Sequence, residues 1–200
     1  MFVKICGITR VEDARAALAD GAAAIGFVFW PESPRYIDPE RARSIVAALA
    51  PPVVTVGVFV NQPAEEVNRV AERVGLNVIQ LHGDETPDFA AAMTRPVMKA
   101  VSLASGTAAA EHWPVSVTLL VDAHDAERRG GTGRRADWTA AATLAARRRI
   151  VLAGGLTPEN VRQAIAEVKP FGIDVSSGVE SAPGIKDGNK LAALFEAVKA

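Results

Sequence analysis

One cysteine, Cys6, closes the apolar stretch FVKICGITR. A thiol ionises with a pKa near 8.5, so modest stabilisation of its thiolate makes it a competent base at neutral pH. Asp122 closes a second apolar stretch, VTLLVDAH. A carboxyl in a dry pocket moves the other way, stays protonated and can serve as a general acid. One base and one acid facing each other would suit an isomerisation that moves protons without a cofactor. Each residue alone also has a plainer explanation. A lone cysteine is more often a buried structural residue, and Asp122 could simply cap a loop.

Two further segments carry chemistry in their backbone. VLAGGLTPENV runs strand, Gly154-Gly155 turn, Thr157, Pro158, helix, and DVSSGVE runs strand, Ser176-Ser177-Gly178, loop. Glycines let backbone N–H groups approach a ligand closely, and a helix N-terminus adds donors and positive dipole. Ordinary turns would use the same residues. Asp174 and the S-P-R segment ending in Arg35 add further polar groups at strand ends. His82, His112 and His124 lack ligand-type spacing, and no His, Asp and Cys cluster indicates a metal. His82 is read as orienting a loop, and the other two as surface residues. Gly130-Gly131-Thr132-Gly133 is a weak signal for a lid or an anion nest. Arg147-Arg148-Arg149 reads as a solvated edge at a helix C-terminus, which the helix dipole favours. Trp30, Trp113 and Trp138 are too separated to form a base-stacking platform.

These residues must be positioned by something, and the hydrophobic pattern says what. Strand-length apolar runs alternate with helix-patterned segments throughout. Strands are predicted at Phe2–Cys6, Ala24–Phe29, Val53–Val60, Val78–Leu81, Val97–Val101, Thr118–Val121, Arg149–Leu152 and Gly172–Val175. Helices are predicted at Glu12–Asp20, Pro39–Leu49, Ala64–Val74, Pro87–Met93, Thr107–His112, Trp138–Ala146, Pro158–Val168 and Asn189–Val198. Asp38-Pro39, Thr86-Pro87 and Thr157-Pro158 each place a capping residue before a proline at the first helical position. Continuously apolar cores such as VVTVGVFV suit parallel strands covered on both faces.

Eight strands and eight helices in strict alternation predict an α/β fold, a single compact (β/α)8 TIM barrel spanning residues 1–200. That is short beside the ~250 residues typical of such barrels. The alternative is an open doubly wound sheet, but CGITR carries no G-x-G-x-x-G fingerprint. In a barrel the chemistry gathers at the C-terminal strand ends. Cys6, Arg35, Asn61, Gln80, His82, Ser102, Asp122, Gly154, Gly155, Asp174 and Ser176 all fall there. The loops after the seventh and eighth strands are the usual phosphate site of barrels, which favours phosphate at Gly154, Gly155, Ser176, Ser177 and Gly178.

Composition narrows the partners. With 22 basic and 23 acidic residues the formal charge is −1, which gives no bulk attraction to nucleic acid or membrane. No apolar run approaches the roughly 20 residues of a membrane span. A single cysteine forms no internal disulfide, and MFVKICG lacks the layout of a signal peptide; both fit a cytoplasmic location.

Taken together, KICGIT, GFVFWPESPRYI, VGVFVN, VIQLHGDE, LLVDAH, GGTGRRADW, LAGGLTPENV and DVSSGVESAPGIKD resemble the phosphoribosylanthranilate isomerase family of tryptophan biosynthesis, over nearly the whole chain and in the family's order. The resemblance implies a cofactor-free barrel, monomeric or homodimeric, acting on a small phosphosugar by an Amadori rearrangement. It implies Cys6 as general base and Asp122 as general acid, with Arg35 facing the anthranilate carboxylate. Asp174 would contact ribose hydroxyls, His82 would join the substrate-binding set, and the two glycine-rich turns would hold the phosphate. One departure is visible: the family often has Phe before Asp-Trp in G-T-G-x-x-F-D-W, where this chain has Ala136. Rival phosphate-binding barrels fit less well. Indole-glycerol-phosphate synthase would need a catalytic Lys at a strand end with a Glu partner, for which Lys99 is the only tempting residue besides Lys4. An epimerase would want a His and Asp metal site. The analogous isomerisation in histidine biosynthesis normally uses two aspartates, and a cysteine at the first strand argues against it.

Overall fold

Hydrogen bonding between neighbouring apolar runs closes them into a ring. In the computed structural model, which describes residues 1–50, 53–104, 106–122 and 137–199, eight parallel strands pair in sequence order and β8 returns to β1. The strands are β1 (Phe2–Ile5), β2 (Ala24–Val28), β3 (Val54–Phe59), β4 (Val78–Leu81), β5 (Val97–Ser102), β6 (Thr118–Asp122), β7 (Ile150–Leu152) and β8 (Gly172–Val175). The helices between and after them are α1 (Val11–Asp20), α2 (Pro39–Ala47), α3 (Ala64–Val74), α4 (Pro87–Ala91), α5 (Ala108–Glu111), α6 (Trp138–Ala145), α7 (Val161–Val168) and α8 (Gly188–Lys199). This is the predicted (β/α)8 barrel, with no boundary moved by more than three residues. His124, Gly130–Gly133 and Ala136 lie outside the described residues.

Local chemistry fixes the helices. Asp38 accepts hydrogen bonds from the Glu40 and Arg41 amides, and Thr86 accepts one from Phe89, so two of the three predicted caps form. Thr157 behaves differently. Its N–H donates to Asn160 Oδ1, and α7 starts only at Val161, after a turn. In α3, Val67, Ala71 and Val74 recur at helical spacing and are buried against the sheet, and Gly75 closes the helix with a left-handed φ of 79°.

Alternation along the strands separates two cores. Val3, Ile5, Ile25, Phe27, Ile79, Leu119, Ile150 and Ile173 point outward into the layer between sheet and helices. Phe2, Val78, Met98, Ala100, Leu120, Val151 and Ala153 point inward and fill the bore. Fully burying each Val, Leu, Ile or Met side chain among them contributes roughly 1.5–3 kcal/mol. At the N-terminal end the bore opens into an apolar cavity of about 570 Å³, lined by Phe2, Val54, Val78, Met98 and Phe171 among others.

Two features differ from expectation. The segment after β8 holds a 3-10 turn at Ser177–Val179 and an antiparallel hairpin of β9 (Glu180–Ala182) and β10 (Ile185–Lys186). Strands of two and three residues are too short to show a periodicity, so the sequence reads there as loop. The arginine run is also not a simple solvated edge. Arg148 donates to the carbonyls of Ala110, Trp113, Pro114 and Val117, and Arg149 stacks 3.7 Å from the centre of the Phe171 ring.

Candidate active site

The same alternation that sends Val3 and Ile5 outward turns Lys4 and Cys6 into the bore. Register places Asp174 of β8 beside Lys4 of β1. Lys4 is fully buried, and its Nζ donates to Asp174 Oδ1 at 2.9 Å. The expected contact of Asp174 with a ligand therefore starts from a carboxylate already paired to a lysine. Cys6 is buried next to them. A Cβ on Gly26 of β2 would come within 2.8 Å of Cys6 Sγ and 3.2 Å of Lys4 Nζ, so glycine is what leaves room for both. Burial pushes the Cys6 thiol above its ordinary pKa; the Lys4 ammonium opposes that rise, Asp174 adds to it and Lys186 opposes it. Burial acts on Lys4 in the opposite sense, but the negative charge of Asp174 and Cys6 outweighs it and holds Lys4 above its usual value.

Outside this pair lies a buried triad. Arg35 donates from Nε and Nη2 to the Glu180 carboxylate at 2.7–3.1 Å, and Lys186 Nζ donates to Glu180 Oε1 at 2.8 Å. Lys186 Nζ also reaches the Ser176 carbonyl at 3.2 Å, and Ser176 Oγ donates to the Cys6 carbonyl at 3.1 Å. Burial raises the Glu180 carboxyl, but Arg35 and Lys186 together bring it below its ordinary value. The sequence reading left Arg35 with its guanidinium open to a ligand. The structure instead fills one fork of it with Glu180.

Across the mouth, inward residues of β4 and β6 make a second group. His82 Nε2 lies 3.3 Å from Asp122 Oδ2, and His82 Nδ1 lies 2.9 Å from the Gln80 side-chain nitrogen. With the amide donating, the imidazole carries its proton on Nε2 and gives that hydrogen bond to the carboxylate. Gln80 is buried, and its side-chain oxygen has no hydrogen-bond partner among the described residues.

The two glycine-rich turns meet. Gly154 and Gly155 take left-handed φ values of 83° and 63°, which a side chain would resist. Asn160 ties that turn by donating from Nδ2 to the Gly155 carbonyl at 2.8 Å. A Cβ on Gly178 would collide with the Leu156 carbonyl, so this glycine lets the loops after β7 and β8 pack together. The backbone N–H groups of Gly154 and Gly155 donate to nothing among the described residues.

Other strand-end groups do structural work. Asn61, at φ 58°, exchanges hydrogen bonds with Asp84, and its N–H donates to Glu85 at 2.8 Å. Lys99 alternates with the bore residues Met98 and Ala100, so it points outward, where its Nζ donates to Gly83 O at 2.6 Å and Glu85 at 2.8 Å. It does have the Glu partner a synthase would need, but on the wrong side of the sheet. Among the described residues there is no group of three or more His, Cys, Asp or Glu that could hold a metal, and no helix is long and apolar enough to cross a membrane.

Sequence reasoning placed Gln80 at the mouth without a role, noted Lys4 only as a lysine a synthase would use, and missed Glu180 and Lys186. Spacing could have joined the first two to the site, since each lies two residues before a candidate on the same strand and so shares its face. Glu180 and Lys186 meet only because the hairpin folds.

Comparisons with known proteins agree with the barrel fold. The family model described as N-(5'phosphoribosyl)anthranilate (PRA) isomerase matches residues 3–197. The N-(5'-phosphoribosyl)anthranilate isomerase of Citrifermentans bemidjiense is 50% identical over 199 residues, 98% of this chain and 96% of that one. The crystal structure of the Thermus thermophilus phosphoribosyl anthranilate isomerase superposes with a TM-score of 0.90 at 47% identity, covering 100% of this chain and 98% of that one. Another, solved in complex with reduced 1-(o-carboxyphenylamino)-1-deoxyribulose 5-phosphate, gives a TM-score of 0.87 at 42% identity, covering 100% and 98%. The barrel closure, the inward Cys6 and Asp122 and the joined glycine-rich loops thus sit in a chain that belongs to the N-(5'-phosphoribosyl)anthranilate isomerase family and is an isomerase.

Proposed function

We propose that this protein converts N-(5'-phosphoribosyl)anthranilate into 1-(2-carboxyphenylamino)-1-deoxyribulose 5-phosphate in tryptophan biosynthesis, with Cys6 as general base and Asp122 as general acid. The observation that carries this reading is that both side chains project into one end of one bore, beside two joined loops with undonated N–H groups. The bound analogue in the 42%-identical relative supports the same substrate class.

In this mechanism the Asp122 carboxyl protonates the ribose ring oxygen, the ring opens and the anthranilate nitrogen forms a Schiff base. The Cys6 thiolate takes the proton from ribose C2, and the enolamine relaxes to the ketone. Asp122 must hold a proton for the first step. Turning the Gln80 amide end for end would place its oxygen on the His82 Nδ1–H and leave Nε2 to accept from a protonated Asp122. His82 then serves the acid while bordering the substrate. A guanidinium has two forks, and Glu180 fills the Nε and Nη2 side of Arg35. The end-on fork, with Nη1, is the one to take the anthranilate carboxylate. Asp174 reaches ribose hydroxyls with the oxygen that Lys4 does not hold. Gly154, Gly155, Ser176, Ser177 and Gly178 supply backbone donors to the phosphate, which suits a dianion in a chain of formal charge −1.

The test is turnover of freshly generated phosphoribosylanthranilate by purified protein, followed as loss of substrate fluorescence, beside an assay with the histidine-pathway aldose. The proposal expects turnover of the first. Absence of turnover would overturn it.

A further inference from the structure

Five charged side chains crowd the Cys6 side of the mouth, and their charges do not cancel. Lys4 comes from β1, Asp174 from β8, Glu180 from β9, Lys186 from β10 and Arg35 from the segment between β2 and α2. Three cations and two carboxylates leave a surplus of one positive charge; a third buried carboxylate, Asp13 of α1, accepts from the Lys186 N–H at 3.0 Å but is matched by Arg10 at 2.6 Å. All five are largely withdrawn from water: the side chains of Lys4 and Lys186 are 0% exposed, Glu180 5%, Asp174 9% and Arg35 11%. Solvent screens a surplus there poorly, so the cluster wants one more anion.

The geometry ties that surplus to Cys6. Lys186 Nζ sits on the Ser176 carbonyl, and Ser176 Oγ in turn holds the Cys6 carbonyl. The Arg35 stem passes over the next residue, where a Cβ on Gly7 would come within 2.7 Å of Arg35 Cδ and 3.0 Å of Ser176 Oγ. Lys4 carries its own carboxylate at 2.9 Å, so that pair adds no net charge. The surplus belongs to the triad, and within it Lys186 and Arg35 share the one carboxylate of Glu180.

We propose that Lys186, held in place by Glu180 and the Ser176 carbonyl, is a positioning residue for the base: the hairpin β9–β10 delivers the positive charge that a Cys6 thiolate neutralises. The triad then acts through Cys6 and does not touch the reacting atoms by way of Lys186. The inference rests on Cys6 being the base, but it concerns the ionisation of the thiol and can be tested without substrate. It agrees with the direction in which Lys186 moves the thiol, against the rise that burial causes.

Because Cys6 is the sole cysteine, alkylation reads one site. The rate of iodoacetamide modification of the intact protein, measured by mass against pH, gives the midpoint of thiol ionisation. Lys186→Met removes a cation and should raise that midpoint by about one pH unit, a roughly tenfold slower reaction below it. Lys186→Arg keeps the charge and should return the midpoint to near the parent value. Glu180→Gln removes an anion and should lower the midpoint by a similar amount. A general loosening of the hairpin would move both variants in one direction; opposite signs are specific to charge. Unchanged midpoints, or shifts of the same sign, would overturn the proposal. Should Lys186→Met fail to fold, Glu180→Gln alone decides, by falling or not. Retained turnover in Cys6→Ala would instead refute the role of Cys6 as base, and leaves the alkylation result to stand by itself.

Discussion

The two walls of the barrel mouth are built on different principles. The β8–β1 wall is ionic, with Lys4, Asp174, Arg35, Glu180 and Lys186 around Cys6. The β4–β6 wall uses an amide, an imidazole and one carboxyl, Gln80, His82 and Asp122, joined by two contacts of 2.9 and 3.3 Å. The difference matches the two proton transfers proposed. A base must become an anion, so it is surrounded by surplus positive charge. An acid must stay neutral until it acts, and among the described residues it adjoins an imidazole and an amide that can reverse donor and acceptor. Charge on one side and reversible hydrogen bonding on the other let one barrel hold both.

The contrast can be broken most strongly at its two ends. Cys6→Ala and Asp122→Asn should each lower kcat by about 10²–10⁴, as the loss of a general base or acid does, with little change in thermal midpoint. If only one of them falls, the two walls do not divide the work.

Lys4→Met should expose the difference in stability. It leaves Asp174, a largely withdrawn carboxylate at 9% side-chain exposure, without its fully buried partner, a loss of about 3 kcal/mol in urea unfolding. Gln80→Leu on the neutral wall should cost less, about 1–3 kcal/mol, because it strips a hydrogen bond from an imidazole and removes an unpaired oxygen as well. Equal losses would mean that the ionic wall is no more committed than the neutral one.

A smaller effect separates the mouth from the far end of the barrel. Arg148→Met removes donors to four carbonyls and should lower stability by about 1–3 kcal/mol while leaving kcat/KM unchanged.

The smallest effect is acidic. The folded protein holds the Glu180 carboxyl below its ordinary value, so the triad stabilises the fold above the usual carboxyl range. That stabilisation is lost as pH falls through the lowered folded value, below the ordinary carboxyl range. The difference in unfolding free energy between the parent and Glu180→Gln should therefore shrink on acidification. A difference that stays constant from pH 7 to pH 3 would remove Glu180 from the ionic wall.

The sequence carried the strand order and the candidate acid and base because both are local facts. An apolar run says strand, and a polar residue ending it says mouth. Alternation then decides what such a residue does, and it separates Lys99 from its neighbours Met98 and Ala100. Long-range pairing was invisible. Arg35 and Glu180 stand 145 residues apart, and Lys4 and Asp174 stand 170 apart. No spacing announces them. The hairpin that brings Glu180 and Lys186 together is too short to show a period, so the ionic wall emerged only with the fold. Asn61 failed in the opposite direction, since a polar group at a strand end was spent on tying its loop to Asp84 and Glu85.

The central claim is that one thiol and one carboxyl at this mouth move the protons of the rearrangement. Steady-state kcat with freshly generated phosphoribosylanthranilate, compared among the parent protein, Cys6→Ala and Asp122→Asn at matched folded fraction, tests it most directly. The account predicts turnover by the parent and a fall of about 10²–10⁴ in each variant. Parent-like turnover in either variant would contradict it.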